Sequence, residues 1–144
     1  MKDIWALGDI AGVYLFKHSA NLEADYVLNN ILSKKKKAVE YFPMPHPVFT
    51  NPQIAGVGLT EQEAKEQKKK YVIGKYLYKK TGMGAALQEQ DGFVKFIVDK
   101  KTKEILGCHI IGPQASTLLH EVVVAMKADR KRALEILQTT VHVH

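Results

Sequence analysis

The chain has 144 residues, is 46% hydrophobic and 25% charged, and carries a formal net charge of +6. That length suits one average domain with a core that needs no disulfide staples, and the composition is that of a globular chain, not a disordered one. Its one cysteine, Cys108, cannot form an internal disulfide, which fits a reducing compartment.

The opening "MKDIWALGDIAG" has acidic residues at positions 3 and 9 and does not read as a secretory signal. No apolar run approaches the length of a bilayer span. The expectation is cytoplasmic residence with no membrane partner. The positive charge raises nucleic-acid binding, but the surplus is lysine, and Arg130 and Arg132 are the two arginines. The lysines cluster at 34–37 and 68–70, each at the end of a predicted helix, where cations complement the helix dipole. Solvated helix ends are preferred to a nucleic-acid surface.

In chain order, "DIWALG" (3–8) reads as a short buried strand and "DIAGVYLFK" as a loop. From about His18 to Leu32, Ala20, Ala24, Val27, Leu28, Ile31 and Leu32 recur at helical spacing. Pro43, Pro45 and Pro47 then forbid a helix or a central strand and mark a boundary. "VFTNPQIAGVGLT" reads as short strands. Thr60 and Glu63 form a capping box that opens a helix to about Lys69. "YVIGKYLYKK", "GFVKFIVD" and "ILGCHIIG" read as strands of antiparallel hairpins, the last two joined by "DKKTKE". "ASTLLHEVVVAMKA" is helical, capped near Ala115 or Ser116, "RALEILQ" is a short helix, and "TTVHVH" is extended or loop. One strand and one helix cannot bury both faces, so the N-terminal third reads as the end of another domain.

Three stretches bear chemistry. In "ALGDI", Asp9 follows a predicted strand and Gly8, a place from which a carboxylate accepts hydrogen bonds from ligand hydroxyls, although such a pair is commonly a plain turn. In "YLFKHSANLEA", the helix start near Lys17–Ser19 offers free N–H groups to an electron-rich ligand atom, as any helix start does. In the closing "HVH", His142 and His144 lie on one face if extended, which leaves a shared metal, an acid/base imidazole and a solvated terminus open. Cys108 reads as a small buried hydrophobe, with His109 on the opposite strand face. His120 reads as structural or interfacial, and His46 as a loop residue between prolines. "TGMGAALQEQDG" lacks the context of a phosphate loop.

Together these stretches, in this order, resemble the flavin-dependent pyridine nucleotide–disulfide oxidoreductases, a family that includes dihydrolipoamide dehydrogenase, glutathione reductase, mercuric reductase and mycothione reductase. "IWALGDI" resembles the last flavin-binding strand, which implies that Asp9 holds the ribityl chain of FAD. "YLFKHSANLEA" is similar to the segment whose backbone faces the flavin's pyrimidine end, which implicates Leu15, Phe16, Lys17 and His18. "VFTNPQIAGVGLTEQEA" and "ILGCHIIGPQASTLLHEVVVAM" resemble the dimerisation domain. The family continues a His-x-His pair into Pro-x-x-x-x-Glu; the resemblance makes His144 the acid/base residue, acting beside the partner subunit's disulfide, with the Pro and Glu absent here.

The Gly-rich nucleotide fingerprint and the redox cysteine pair are also absent from these 144 residues. The resemblance therefore implies a C-terminal part of such an enzyme, most like dihydrolipoamide dehydrogenase, with a mycothione reductase-like or mercuric reductase-like enzyme or a non-catalytic dimerisation module as alternatives. The fold implied is α+β: residues 1–40 as a strand–helix remnant of an FAD-binding domain, and residues 41–144 as a mostly antiparallel sheet with helices on one side. FAD is the implied cofactor, with NAD(P) on an absent domain and no metal. A second copy, meeting helix 115–128, and a disulfide or dithiol substrate are the implied partners. The piece alone is expected to be inactive.

Overall fold

The computed structural model describes residues 4–141, which fall into two compact units divided between Phe42 and Pro43. The first unit contains a 3₁₀ turn, Gly8–Ala11, and helix α1, Lys17–Leu32. The expected strand over 3–8 is not formed: residues 4–7 pair with no strand, and Ile4, Trp5 and Leu7 are exposed. A strand's amides need a ladder partner, and none is present among the described residues of this unit.

Helix α1 also departs from its apolar pattern. Leu28, Ile31 and Leu32 face solvent, whereas Ser19, Glu23 and Asn30 are buried. These polar residues recur at helical spacing and tie the helix to its flanks. The Asn30 side chain exchanges two 2.8 Å hydrogen bonds with the Lys37 backbone. Lys36 Nζ donates to the carbonyls of Asn30 and Ser33, so the lysine run does satisfy a helix C-terminus.

The second unit is a five-stranded antiparallel sheet, ordered β1-β2-β5-β4-β3: β1 is Pro45–Val48, β2 Gln53–Gly58, β3 Tyr71–Leu77, β4 Phe93–Asp99 and β5 Ile105–Gly112. The prolines are admitted because β1 is an edge strand; His46 thus lies in a strand rather than a loop. The period of two along each strand sets the two faces. Ala55 and Val57 on β2 pair with Ile110 and Cys108 on β5, all fully or nearly fully buried.

Helix α4, Ala115–Ala128, packs on this face, inserting Leu119, Val122, Ala125 and Met126 into the core, and α5, Ala133–Thr139, packs on α4. Gln114, in the left-handed region, is the N-cap of α4, rather than Ala115 or Ser116. It makes no side-chain cap. Instead Gln53 Oε1 accepts from both the backbone N–H (3.2 Å) and the hydroxyl (2.9 Å) of Ser116, so β2 supplies the missing acceptor. The α+β class, with α4 and α5 on one side of an antiparallel sheet, is the one expected.

The opposite face carries His109, Lys95 and Ile97 and is met by the short α2, Glu61–Glu66, through a 3.2 Å Lys95–Glu61 bridge. The capping box is formed as read: Thr60 Oγ1 accepts from Glu63 N, and Glu63 Oε2 accepts from Thr60 N. The helix stops at Glu66 rather than Lys69, because Lys68 turns to φ 53°. A further single turn, α3, occupies Gly82–Ala86. Among the described residues no helix is long and apolar enough to cross a membrane.

Candidate functional site

The candidate cofactor-binding residues Asp9, Leu15, Phe16, Lys17 and His18 all fall in the first unit. Gly8 adopts φ 74°, in the left-handed region that favours glycine, and turns the chain into the 3₁₀ segment that presents Asp9 to solvent. That segment packs against α1. An ideal Cβ on Gly8 would sit 3.7 Å from the Ala20 Cβ, so the demand for glycine here is conformational rather than steric.

Phe16 is the N-cap of α1 and supplies no side-chain acceptor. The Ser19 hydroxyl, at the third position of α1, donates backwards to the carbonyls of Phe16 (2.8 Å) and Tyr14 (3.2 Å). The N-cap thus supplies no side-chain acceptor at the positive end of the helix dipole. Leu15 is 69% exposed, and Lys17 reaches along the helix to Asn21 Oδ1 at 2.6 Å. The rings of Phe16 and His18 stack at 5.0 Å and 10°. Tyr14 lies 6.4 Å from Phe16 and 5.2 Å from Tyr41.

The sequence reading missed Glu23. The residue is 2% exposed, and its carboxylate accepts two hydrogen bonds, from Gly8 N at 2.5 Å and from Tyr41 Oη at 2.9 Å. Desolvation, aided by this carboxylate, pushes the Tyr41 phenol above its ordinary range. The available signal was the spacing of Ser19, Glu23 and Asn30 on one stripe of the helix.

The other candidates separate. Cys108 is fully buried, and burial pushes its thiol up to about 12, so it is an inert core residue. His109 lies on the other strand face, as expected. Its Nε2–H donates to the Leu59 carbonyl at 2.9 Å, and its ring occupies the space left by Gly56, where a Cβ would lie 2.6 Å from Nδ1. His120 is exposed on α4, as are Leu118 and Val124. His142 and His144 lie outside the described residues. Among the described residues, no three His, Cys, Asp or Glu side chains are placed to hold a metal ion.

The pyridine nucleotide-disulphide oxidoreductase dimerisation domain matches residues 44–144. Dihydrolipoyl dehydrogenase 3 of Haloarcula marismortui is 35% identical over 143 residues, which cover 99% of this chain and 29% of that protein. The dihydrolipoyl dehydrogenase of Chlamydia pneumoniae is 36% identical over 144 residues, 100% of this chain and 31% of its own length. Among solved structures, the HOCl-induced flavoprotein disulfide reductase of Escherichia coli shares the fold with a TM-score of 0.86 at 24% identity, over 97% of this chain and 32% of that one. The chain thus spans about three tenths of the length of the curated relatives it matches.

Proposed function

The chain belongs to the pyridine nucleotide-disulphide oxidoreductase dimerisation-domain family, and from that premise we propose that it is the C-terminal part of a flavin-dependent NAD(P)H:disulfide oxidoreductase. The observation that carries this reading is the first unit's arrangement: an exposed Asp9 on a turn packed against an uncapped helix start, preceding a matched dimerisation domain. The names of the relatives favour a dihydrolipoamide dehydrogenase-like activity over a mycothione reductase-like or mercuric reductase-like one, or a non-catalytic module. The first unit's donor set fits FAD: a carboxylate for ribityl hydroxyls, amides for the flavin's electron-rich rim, and apolar surface on Leu15 and Phe16.

When bound, FAD would carry reducing equivalents between NAD(P)H, held by a domain outside this chain, and a disulfide or dithiol substrate. The chain's own residues would do the rest. Asp9 would accept hydrogen bonds from the ribityl chain, the Lys17 and His18 amides would face the pyrimidine edge, and Leu15 and Phe16 would exclude water. His144 would hold or deliver a proton at its imidazole nitrogen, beside the disulfide of a second copy. Leu118 and Val124, exposed on α4, would face that second copy. Cytoplasmic residence belongs to the same reading, as does the absence of nucleic-acid and membrane partners; Lys36 of the basic run is engaged at the end of α1.

The test is FAD retention and turnover by the full-length flavoprotein carrying Asp9→Ala or His144→Ala. Loss of FAD in the first, and loss of lipoamide turnover with FAD retained in the second, are expected. Wild-type behaviour of both variants would remove the reading. Light scattering of the 144-residue chain should give twice its 16.2 kDa mass and no NAD(P)H:disulfide activity.

A further inference from the structure

We propose that Glu23 is the positioning residue of the flavin site, an inference that rests on the reading of the first unit as an FAD contact surface. Two arms of that surface converge on its one buried carboxylate. Oε2 accepts from the amide of Gly8, the residue immediately before Asp9. Oε1 accepts from the Tyr41 hydroxyl, and the Tyr41 ring begins the series of aromatic contacts that runs through Tyr14 and Phe16 to His18. Asp9 on one side, and Phe16 and His18 on the other, are therefore each tied to Glu23, the first through Gly8 and the others through Tyr41 and Tyr14.

The carboxylate is buried and held by two hydrogen bonds, and burying such a group for packing alone is costly. Its two bonds span 15 and 18 residues, so neither is a local helix contact. What they fix is the backbone immediately before Asp9 and the aromatic approach to the helix start. Hydrogen bonds to a charged acceptor are among the stronger ones, and a ligand site held loosely loses affinity without losing its fold.

Glu23→Gln keeps an oxygen for Gly8 N–H and an amide that donates to the Tyr41 oxygen, so it preserves both links without the charge. Glu23→Ala removes both. Tyr41→Phe cuts one arm. The experiment measures FAD affinity and the visible circular dichroism of bound flavin in the full-length flavoprotein, together with hydrogen exchange of the Gly8 amide in the 144-residue chain. We expect Glu23→Ala to weaken FAD binding by at least about tenfold, to alter the flavin signal and to release the Gly8 amide. Glu23→Gln should restore all three readouts, and Tyr41→Phe should alter the flavin signal while leaving Gly8 protected.

If Glu23→Ala frees the Gly8 amide yet binds FAD as the wild type does, the positioning role is overturned while the flavin reading survives. Failure of Glu23→Gln to restore the signal, with the fold intact, overturns positioning by hydrogen bonds. If the wild-type flavoprotein takes up no FAD, both the site and this role fall together.

Discussion

In the sheet unit the buried side chains, from Met44 to Ala133, are apolar: Val57, Ile97, Leu119 and Met126 lie at or below 1% exposure. In the α1 unit the buried side chains among the described residues are Ser19, Glu23 and Asn30, while Trp5, Ile10, Leu15, Ile31 and Leu32 stand in solvent. One unit has closed an apolar core on itself; the other has satisfied its polar groups internally and left its apolar ones unused. The sheet unit also leaves apolar side chains such as Phe49, Leu118 and Val124 in solvent, but it has an apolar core beneath them. The second is organised by hydrogen bonds, and its stability would grow with any apolar cover.

The contrast is open to breakage at four points. The largest effect is expected at Cys108. With its thiol pushed up to about 12 from an ordinary 9.0, native protein near pH 7 should react with an aromatic disulfide reagent about 10³-fold more slowly than urea-unfolded chain, as followed by released thiolate absorbance. Fast native labelling would show the sheet core to be open. Next, Ile97→Ala should cost about 2–5 kcal/mol in urea unfolding followed by circular dichroism, because its side chain is wholly buried.

A smaller effect is expected at the capping box, where Thr60→Ala should cost about 1 kcal/mol. The backbone and hydroxyl of Thr60 hold the Glu63 carboxyl below its ordinary 4.5. Its contribution is therefore complete above that value and is lost as the pH falls through the lowered folded-state value. In Thr60→Ala this acid-limb dependence should shrink, measured as unfolding midpoints between about pH 3 and pH 6. The smallest change is expected for Leu28→Ala on exposed α1, within about 0.5 kcal/mol in the 144-residue chain. A loss near that of Ile97→Ala would erase the distinction between the two units.

Features carried by neighbours in sequence were legible. The Thr60–Glu63 box needs two side chains three positions apart, and the strand character of β4 and β5 needs one apolar run each; both were read and both are formed. Features completed by distant residues were not. The predicted strand at 3–8 lacks a ladder partner among the described residues of its unit, the cap of α4 comes from Gln53 in β2, and Glu23 takes its meaning from Gly8 and Tyr41. Asp9 and residues 15–18 were found through resemblance, and the structure shows their local arrangement; their contact with a cofactor remains the proposal stated above.

The two margins of the sheet are chemically unequal. Strand β1 has Pro45 and Pro47 at two of its four positions, so half of its residues have no amide to donate to an incoming backbone. Strand β3 has no proline, and Val72 through Tyr76 are exposed. Chain-to-chain extension of this sheet is thus polarised, with recruitment of a further strand discouraged at one border and disciplined at the other only by Lys75.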